Sequence, residues 1–134
     1  MKLTKEWLIE KGIRLIQEND NDYHVYRKSK KWVNEHKLKI HDYVKHHKYG
    51  KDKVYKIVGF SDEKSYTITL QRLVYAWFIG DIDEGYDVDH IDDDSLNNRI
   101  DNLQLLTRTE NLRKRKDNGI NQYRYLKGEN NESK

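Results

Sequence analysis

Residues 86–111 read YDVDHIDDDSLNNRIDNLQLLTRTEN, and the folding of this stretch decides the reading of the chain. YDVDH has the β-branched and aromatic content of a short strand. DDDSLNNRID is a polar loop whose side chains readily bond nearby backbone, as Asn97 and Asn98 are expected to do. LQLLT is a second strand. Thr107-Arg-Thr-Glu110 fits a capping box, with Thr107 as N-cap and Glu110 at N3. A helix, TRTENLRKRK, then runs to about Lys116. Strand, loop, strand and helix in about 30 residues make a ββα unit.

Upstream, LQRLVYAWFIG (70–80) places Leu70, Leu73, Val74, Trp77 and Phe78 at i, i+3, i+4, i+7 and i+8. That spacing predicts a core-facing helix ended by Gly80. KVYKIVGF (53–60) and SYTITLQ (65–71) read as two strands joined by SDEK, and YHVYR (23–27) as another. Residues 28–52 fit a basic hairpin arm or a loop. Thr4 is a plausible N-cap with Leu3 and Leu8 as a staple. Trp7, Leu8, Leu15 and Ile16 share a face, so residues 4–18 are predicted helical despite Gly12, with NDND (19–22) breaking the helix. No internal repeat is present. From Asp117 the tail is polar, and GENNESK is expected to be disordered.

The 134 residues suit one domain with a small appendage. Hydrophobic residues make up 35%, which predicts a modest core helped by ten Tyr, three Trp and two Phe. The absence of Cys excludes disulfides and thiolate zinc sites. No apolar run approaches the ~20 residues of a membrane span, and MKLTKEWLIEKGIRL lacks the marks of a signal peptide. A soluble cytoplasmic protein with no membrane association is expected.

Net charge is only +3, but it is segregated. From Arg27 to Lys56 eleven bases face three acids, a balance of +8. From Asp81 to Asp94 there are eight acids and no base, and from Arg99 to Lys116 the balance returns to +4. An acidic pocket between basic segments suits a metal site that must hold a polyanion, although a solvated surface gives the same counts. An EF-hand is excluded. Counted from Asp87 or Asp92, position five is Ile91 or Leu96, and position six is never the required Gly. His41, His46 and His47 lack further ligands at regular spacing and are read as part of the basic arm.

VDHID, followed by NNRIDNL and TRTEN, resembles the HNH endonuclease family, in the phage-type homing subgroup with a ββα-metal site. The resemblance covers about Gly85 to Lys116 and extends weakly through RLVYAWFIGDI. The first 65 residues carry no signature. It implies that His90 is the general base that activates water. It implies that Asp89 and Asn111 are metal ligands, and that Asn102 braces the loop and orients the histidine. Asn111 stands where many relatives have His, which matches the homing subgroup. The paired cysteines of some relatives are absent.

The chemistry is coherent in its own right. Phosphodiester hydrolysis needs a water activated near neutral pH, where His titrates. It also needs a cation to offset charge on the phosphoryl and leaving oxygens. One carboxylate and one amide oxygen form a sparse hard-oxygen site suited to Mg²⁺ or Mn²⁺. In a regular strand Asp89 and His90 would point to opposite faces, so both can serve one site only if the strand ends at His90.

The expected fold is therefore α+β. A small N-terminal mixed helix/β-strand DNA-binding part (1–80) precedes a C-terminal ββα-metal module (81–116) and a polar tail (117–134). The expected partner is double-stranded DNA, bound by a monomer or homodimer with no protein partner evident. Lys37, Lys39 and Lys45 of the basic arm, and Arg99, Arg108, Arg113, Lys114 and Arg115, are the candidate DNA contacts. Arg99 could equally pair with an Asp. The aromatics of residues 23–60 could stack on bases or pack in the core. Asn121–Tyr125 is a further candidate contact. Besides a cutting enzyme, a degenerate DNA-binding relative and a nonspecific or packaging-associated nuclease fit the same residues.

Overall fold

The computed structural model describes residues 2–46, 48 and 51–114. His47, Tyr49, Arg115 and the whole tail, with the expectations placed on them, lie outside the described residues. Within these bounds the chain is a mixed α+β fold of short helices and antiparallel sheets.

The predicted helix over 4–18 is corrected to less than half its length. Helix α1 spans Lys5–Glu10, opened by Thr4, whose Oγ1 accepts from the Trp7 N–H at 3.0 Å. It stops because Gly12 takes φ +83° and lies so close to a later stretch of chain that a Cβ would sit 2.1 Å from the Lys28 carbonyl oxygen. Beyond it the burial period changes to two. Ile13 and Leu15 are buried while Arg14 and Ile16 are exposed, and the chain forms strand β1 (Ile13–Asn19). Leu15 and Ile16 therefore do not share a face.

Strand β1 turns at 19–22 into β2 (Asp22–Arg27), and β3 (His36–Leu38) completes the first three-stranded sheet. The segment left open by sequence supplies β3 and then β4 (Ile40–Lys45), so the basic arm is a strand. It pairs with β5 (Lys53–Asp62), which pairs in turn with β6 (Lys64–Thr69) around Glu63 at φ 29°. This hairpin turn is tighter than the predicted SDEK connection.

Helix α2 (Leu70–Phe78) follows directly, with Leu70, Leu73 and Val74 buried. Phe78 is exposed and meets only the edge of the core, its ring 6.0 Å from that of Tyr23. Strands β7 (Tyr86–His90) and β8 (Leu103–Thr107) pair antiparallel, and helix α3 occupies residues 108–114. The capping box is formed as predicted. Glu110 Oε1 accepts from the Thr107 N–H at 2.9 Å, and Thr107 Oγ1 accepts from the Glu110 N–H at 3.1 Å.

One hydrophobic cluster runs from Leu3 and Leu8 through Val25, Val58, Leu73 and Val74 to Val88 and Leu103. Leu3 and Ile82 exchange two backbone hydrogen bonds of 2.9 Å, which pin the N-terminus beside the start of the ββα unit. Arg27, counted among the basic segment, is buried. Its Nε donates to the Lys11 carbonyl, its Nη1 donates to the Ser61 carbonyl, and it lies on the Phe60 ring. It joins the first sheet to β5.

Candidate active-site cleft

Strand β7 ends at His90, as sharing of one site by its neighbours required. The Asp93 N–H donates to the His90 carbonyl and the Ile91 N–H to the Asn102 carbonyl, which turns the chain at that point. A cleft of about 310 Å³ opens there, lined by Asp87, Asp89, His90 and Asn111 of the ββα unit. Lys45 of β4 and Lys53 of β5 line it from the arm, with Tyr43 and Tyr55, and Thr69, Gln71 and Arg72 line it from the start of α2. Four separate stretches of sequence thus meet at one site.

Within the loop 91–102 the Asp92 carboxylate accepts three hydrogen bonds and that of Asp94 one, from the Leu96 N–H. Asp92 Oδ1 accepts from the Asp94 N–H and from Asn102 Nδ2, and its Oδ2 accepts from Asn97 Nδ2. These donors hold the Asp92 carboxyl below its usual value, Asn97 contributing most. Asn102 also donates to the Asn97 carbonyl, and its Oδ1 accepts from the Asp92 N–H. Asn102 braces the loop but makes no hydrogen bond to the imidazole. That contact belongs to Asn98, whose Oδ1 lies 2.7 Å from His90 Nε2. The expectation that Asn98 bonds loop backbone through its side chain is corrected accordingly.

Asn98 is fully buried and fixed from outside the ββα unit. Its N–H donates to Asn21 Oδ1 at 2.8 Å, and its carbonyl accepts from the Tyr23 hydroxyl at 2.7 Å. Burial, with the nearby Asp20 charge, pushes the Tyr23 hydroxyl up to about 12, so it stays a donor. On the other flank Lys53 donates to Asp93, and the Ser95 hydroxyl to the Val54 carbonyl.

Since an amide oxygen can only accept, His90 Nε2 carries the proton and Nδ1 is left with its lone pair. Burial lowers the imidazole's affinity for a second proton; the Asn98 bond opposes this without cancelling it. The ring is therefore neutral near pH 7 and able to accept a proton.

Oxygen atoms crowd the Asp89 corner, where one ammonium is already seated. Asp89 Oδ2 accepts from Gln104 Nε2 at 2.9 Å and pairs with the Lys114 ammonium at 2.6 Å. The same ammonium lies 3.1 Å from the His90 carbonyl and 3.4 Å from that of Ile91. A positive charge in a nest of oxygens shows what the corner attracts. Asn111 donates through Nδ2 to Asp87 at 3.1 Å, which leaves its own Oδ1 as an acceptor. Asp87, Asp89 and Asn111 line the same cleft and carry oxygen ligands of the kind that Mg²⁺ or Mn²⁺ takes.

Of the other candidate contacts, Lys45 lines the cleft and Lys114 sits on Asp89. Arg108 is exposed, 3.8 Å from Asp87, and Arg113 is exposed. Arg99 is paired at 3.5 Å with both Asp20 and Asp101. Lys37 and Lys39 are exposed but do not line the cleft. Sequence reasoning missed Asp87, Asn98, Thr69, Gln71 and Arg72. For Arg72 one signal was available: a cation one residue before the most buried part of an apolar helix. His46 pairs with Asp52 at the surface. Among the described residues, Glu18, Asp22 and His24 also bring potential ligand atoms together, on β1–β2 and outside the cleft.

Residues 69–113 match a family model described as HNH endonuclease. A stretch of 59 residues is 41% identical to a protein of Bacillus subtilis (strain 168), described as a candidate HNH homing endonuclease, YosQ, derived from the SPbeta prophage. The match takes in 42% of this chain and 34% of the relative, so the chain spans about a third of that protein's length. No solved structure gives a significant match.

Proposed function

We propose that the chain is a divalent-metal-dependent DNA endonuclease of the homing type, a reading supported by the match of residues 69–113 to the HNH endonuclease family model. The reading rests above all on one observation. A buried neutral imidazole, His90, shares a cleft with Asp89, Asn111 and two lysines, Lys45 and Lys53.

His90, with its Nε2 proton committed to Asn98, takes the proton of a water at Nδ1. The water oxygen attacks phosphorus, the bond to the 3′ oxygen breaks, and that oxygen takes a proton from solvent, giving a 5′-phosphate and a 3′-hydroxyl. Asp89 and Asn111 would hold Mg²⁺ or Mn²⁺, which supplies electrostatic stabilisation of the phosphoryl and leaving oxygens. Lys45 and Lys53 neutralise the incoming backbone. The N-terminal part serves as the DNA-holding part, since its β4–β5 arm forms one wall of the cleft. One such site cuts one strand, so a monomer nicks; double-strand cleavage takes a dimer or a second event.

A supercoiled plasmid incubated with Mg²⁺ or Mn²⁺ tests the proposal. The wild-type chain is expected to convert it to open circles, and His90→Ala to lose this while still binding DNA. Intact plasmid with both proteins, across several DNAs they bind, removes the enzyme reading. The Lys114–Asp89 pair is the observation that favours a binding protein without cleavage, and the same assay decides between them. Mapped cut ends decide between homing and nonspecific cleavage: a sharp consensus supports the first, scattered ends the second.

A further inference from the structure

The first turn of α2 contains three polar side chains that the fold leaves unused. Gln71 is only 7% exposed, yet its Oε1 has no hydrogen-bond partner, and neither has the buried Thr69 Oγ1. Thr69 is the N-cap residue, but its side chain makes no capping bond to the N–H groups of the first turn. Arg72 is half-buried in the same turn, where Asp87 attracts its guanidinium and Arg108 repels it, with no close ion pair or hydrogen bond among the described residues. Burial lowers its affinity for the proton, though a guanidinium stays charged in a protein. All three side chains line the cleft that holds Asp87, Asp89 and His90.

Buried polar atoms without partners are costly, and two of them beside a half-buried guanidinium at one opening point to a missing ligand. Its chemistry follows from the donors. A guanidinium, a hydroxyl and uncapped helix N–H groups favour an oxyanion. The Gln71 carboxamide can join them by rotating to present Nε2, since its Oε1 has no bond to break.

We propose that Thr69, Gln71 and Arg72 form a subsite that grips one backbone phosphate of the bound DNA beside the cation corner. This rests on the DNA-cleaving reading and adds residues to it. Asp87 and Asp89 line the same cleft and repel a phosphate, and Arg72, which Asp87 attracts, compensates that repulsion. The arm lysines approach the same space from the other side.

The test uses the full chain in EDTA, so that binding is measured without cleavage. A fluorescein-labelled duplex is titrated by anisotropy over a range of salt concentrations. Arg72→Gln is expected to weaken binding roughly tenfold near 0.1 M salt and to lower the salt slope by about one phosphate. Thr69→Val removes an unpartnered hydroxyl, so it is expected to raise or preserve Tm while weakening binding severalfold. That opposition separates a ligand role from a structural one. Lys64→Gln, on the exposed turn of β5–β6, is the charge control and should change little.

Unchanged affinity and slope in Arg72→Gln, or equal losses in Lys64→Gln, overturn the subsite. If Arg72→Gln fails to fold, Thr69→Val decides alone: lower Tm with unchanged binding also overturns it. Inorganic phosphate is the second probe. Weak, Arg72-dependent competition supports a backbone phosphate, whereas tight binding of phosphate alone would make this a site for the free anion. A wild-type chain that binds no duplex at all would instead bring down the nuclease reading, a result distinct from these.

Discussion

The His90 imidazole is held by Asn98, eight positions along the loop, through a buried 2.7 Å contact between Nε2 and Oδ1. Asn98 is in turn fixed by Asn21 and Tyr23 of the first hairpin. A residue of the N-terminal sheet therefore reaches the proposed base through one intermediary.

Asn98→Ala should strike the chemical step harder than DNA binding. It removes the acceptor that sets the tautomer and leaves Nε2 of a buried ring unsatisfied, which costs about 1–3 kcal/mol of stability. The expected result is a 10- to 100-fold loss in single-turnover nicking, with DNA affinity nearly unchanged. Tyr23→Phe, which removes only the hydroxyl bonded to the Asn98 carbonyl, should show the same pattern more weakly. Equal losses in binding and cleavage would contradict the assignment.

The ββα unit was legible because its signals are local: a capping box, two short strands and a polar loop lie within one stretch. The cleft's other wall was not, because Lys53, Tyr55 and Arg72 reach it only through the pairing of β4, β5 and β6. Asn98 and Asn102 are both amides of one loop, and composition cannot say which faces the ring. That depends on Asn21 and Tyr23, more than seventy residues earlier.

Asp92 should make loop integrity sensitive to acid. Its folded carboxyl is held below the ordinary value, so the unfolded chain binds more protons than the native one through that range. The stability it contributes is present above about pH 4, the ordinary carboxylate value, and is lost as pH falls through the depressed folded value. Hydrogen exchange of the 91–102 amides should rise over this window in the wild type. In Asp92→Asn it should be fast at all pH values, since the amide nitrogen must confront either the Asn97 donor or those of Asp94 and Asn102. A wild-type loop whose protection is flat down to pH 3 would remove Asp92 from this role.

Gly12→Ala should be among the more damaging single changes far from the cleft. The new methyl would sit 2.1 Å from the Lys28 carbonyl oxygen, at a φ of +83° that L-residues rarely adopt. Positive φ alone costs about 1–3 kcal/mol, and the backbone clash adds to it, so a loss of roughly 3 kcal/mol is expected. Urea unfolding measures it directly. A loss under about 1 kcal/mol would show that the α1–β1 corner relaxes freely.

Lys114 should compete with the divalent ion for Asp89. Its ammonium lies 2.6 Å from Oδ2 and within reach of the His90 and Ile91 carbonyls, so a metal approaching Asp89 meets a resident positive charge. Lys114→Gln removes that charge while keeping a donor for the carbonyl oxygens. Mn²⁺ affinity, followed by the loss of its free EPR signal, is expected to rise severalfold in this variant. Asp89→Asn should lower it well below the wild type, because a carboxylate holds the ion better than an amide. The same Lys114 variant should bind duplex DNA no better than the wild type in EDTA, since it also loses a phosphate-neutralising charge. If Mn²⁺ binding falls in Lys114→Gln, the ammonium organises the oxygens for the ion instead of standing in its place.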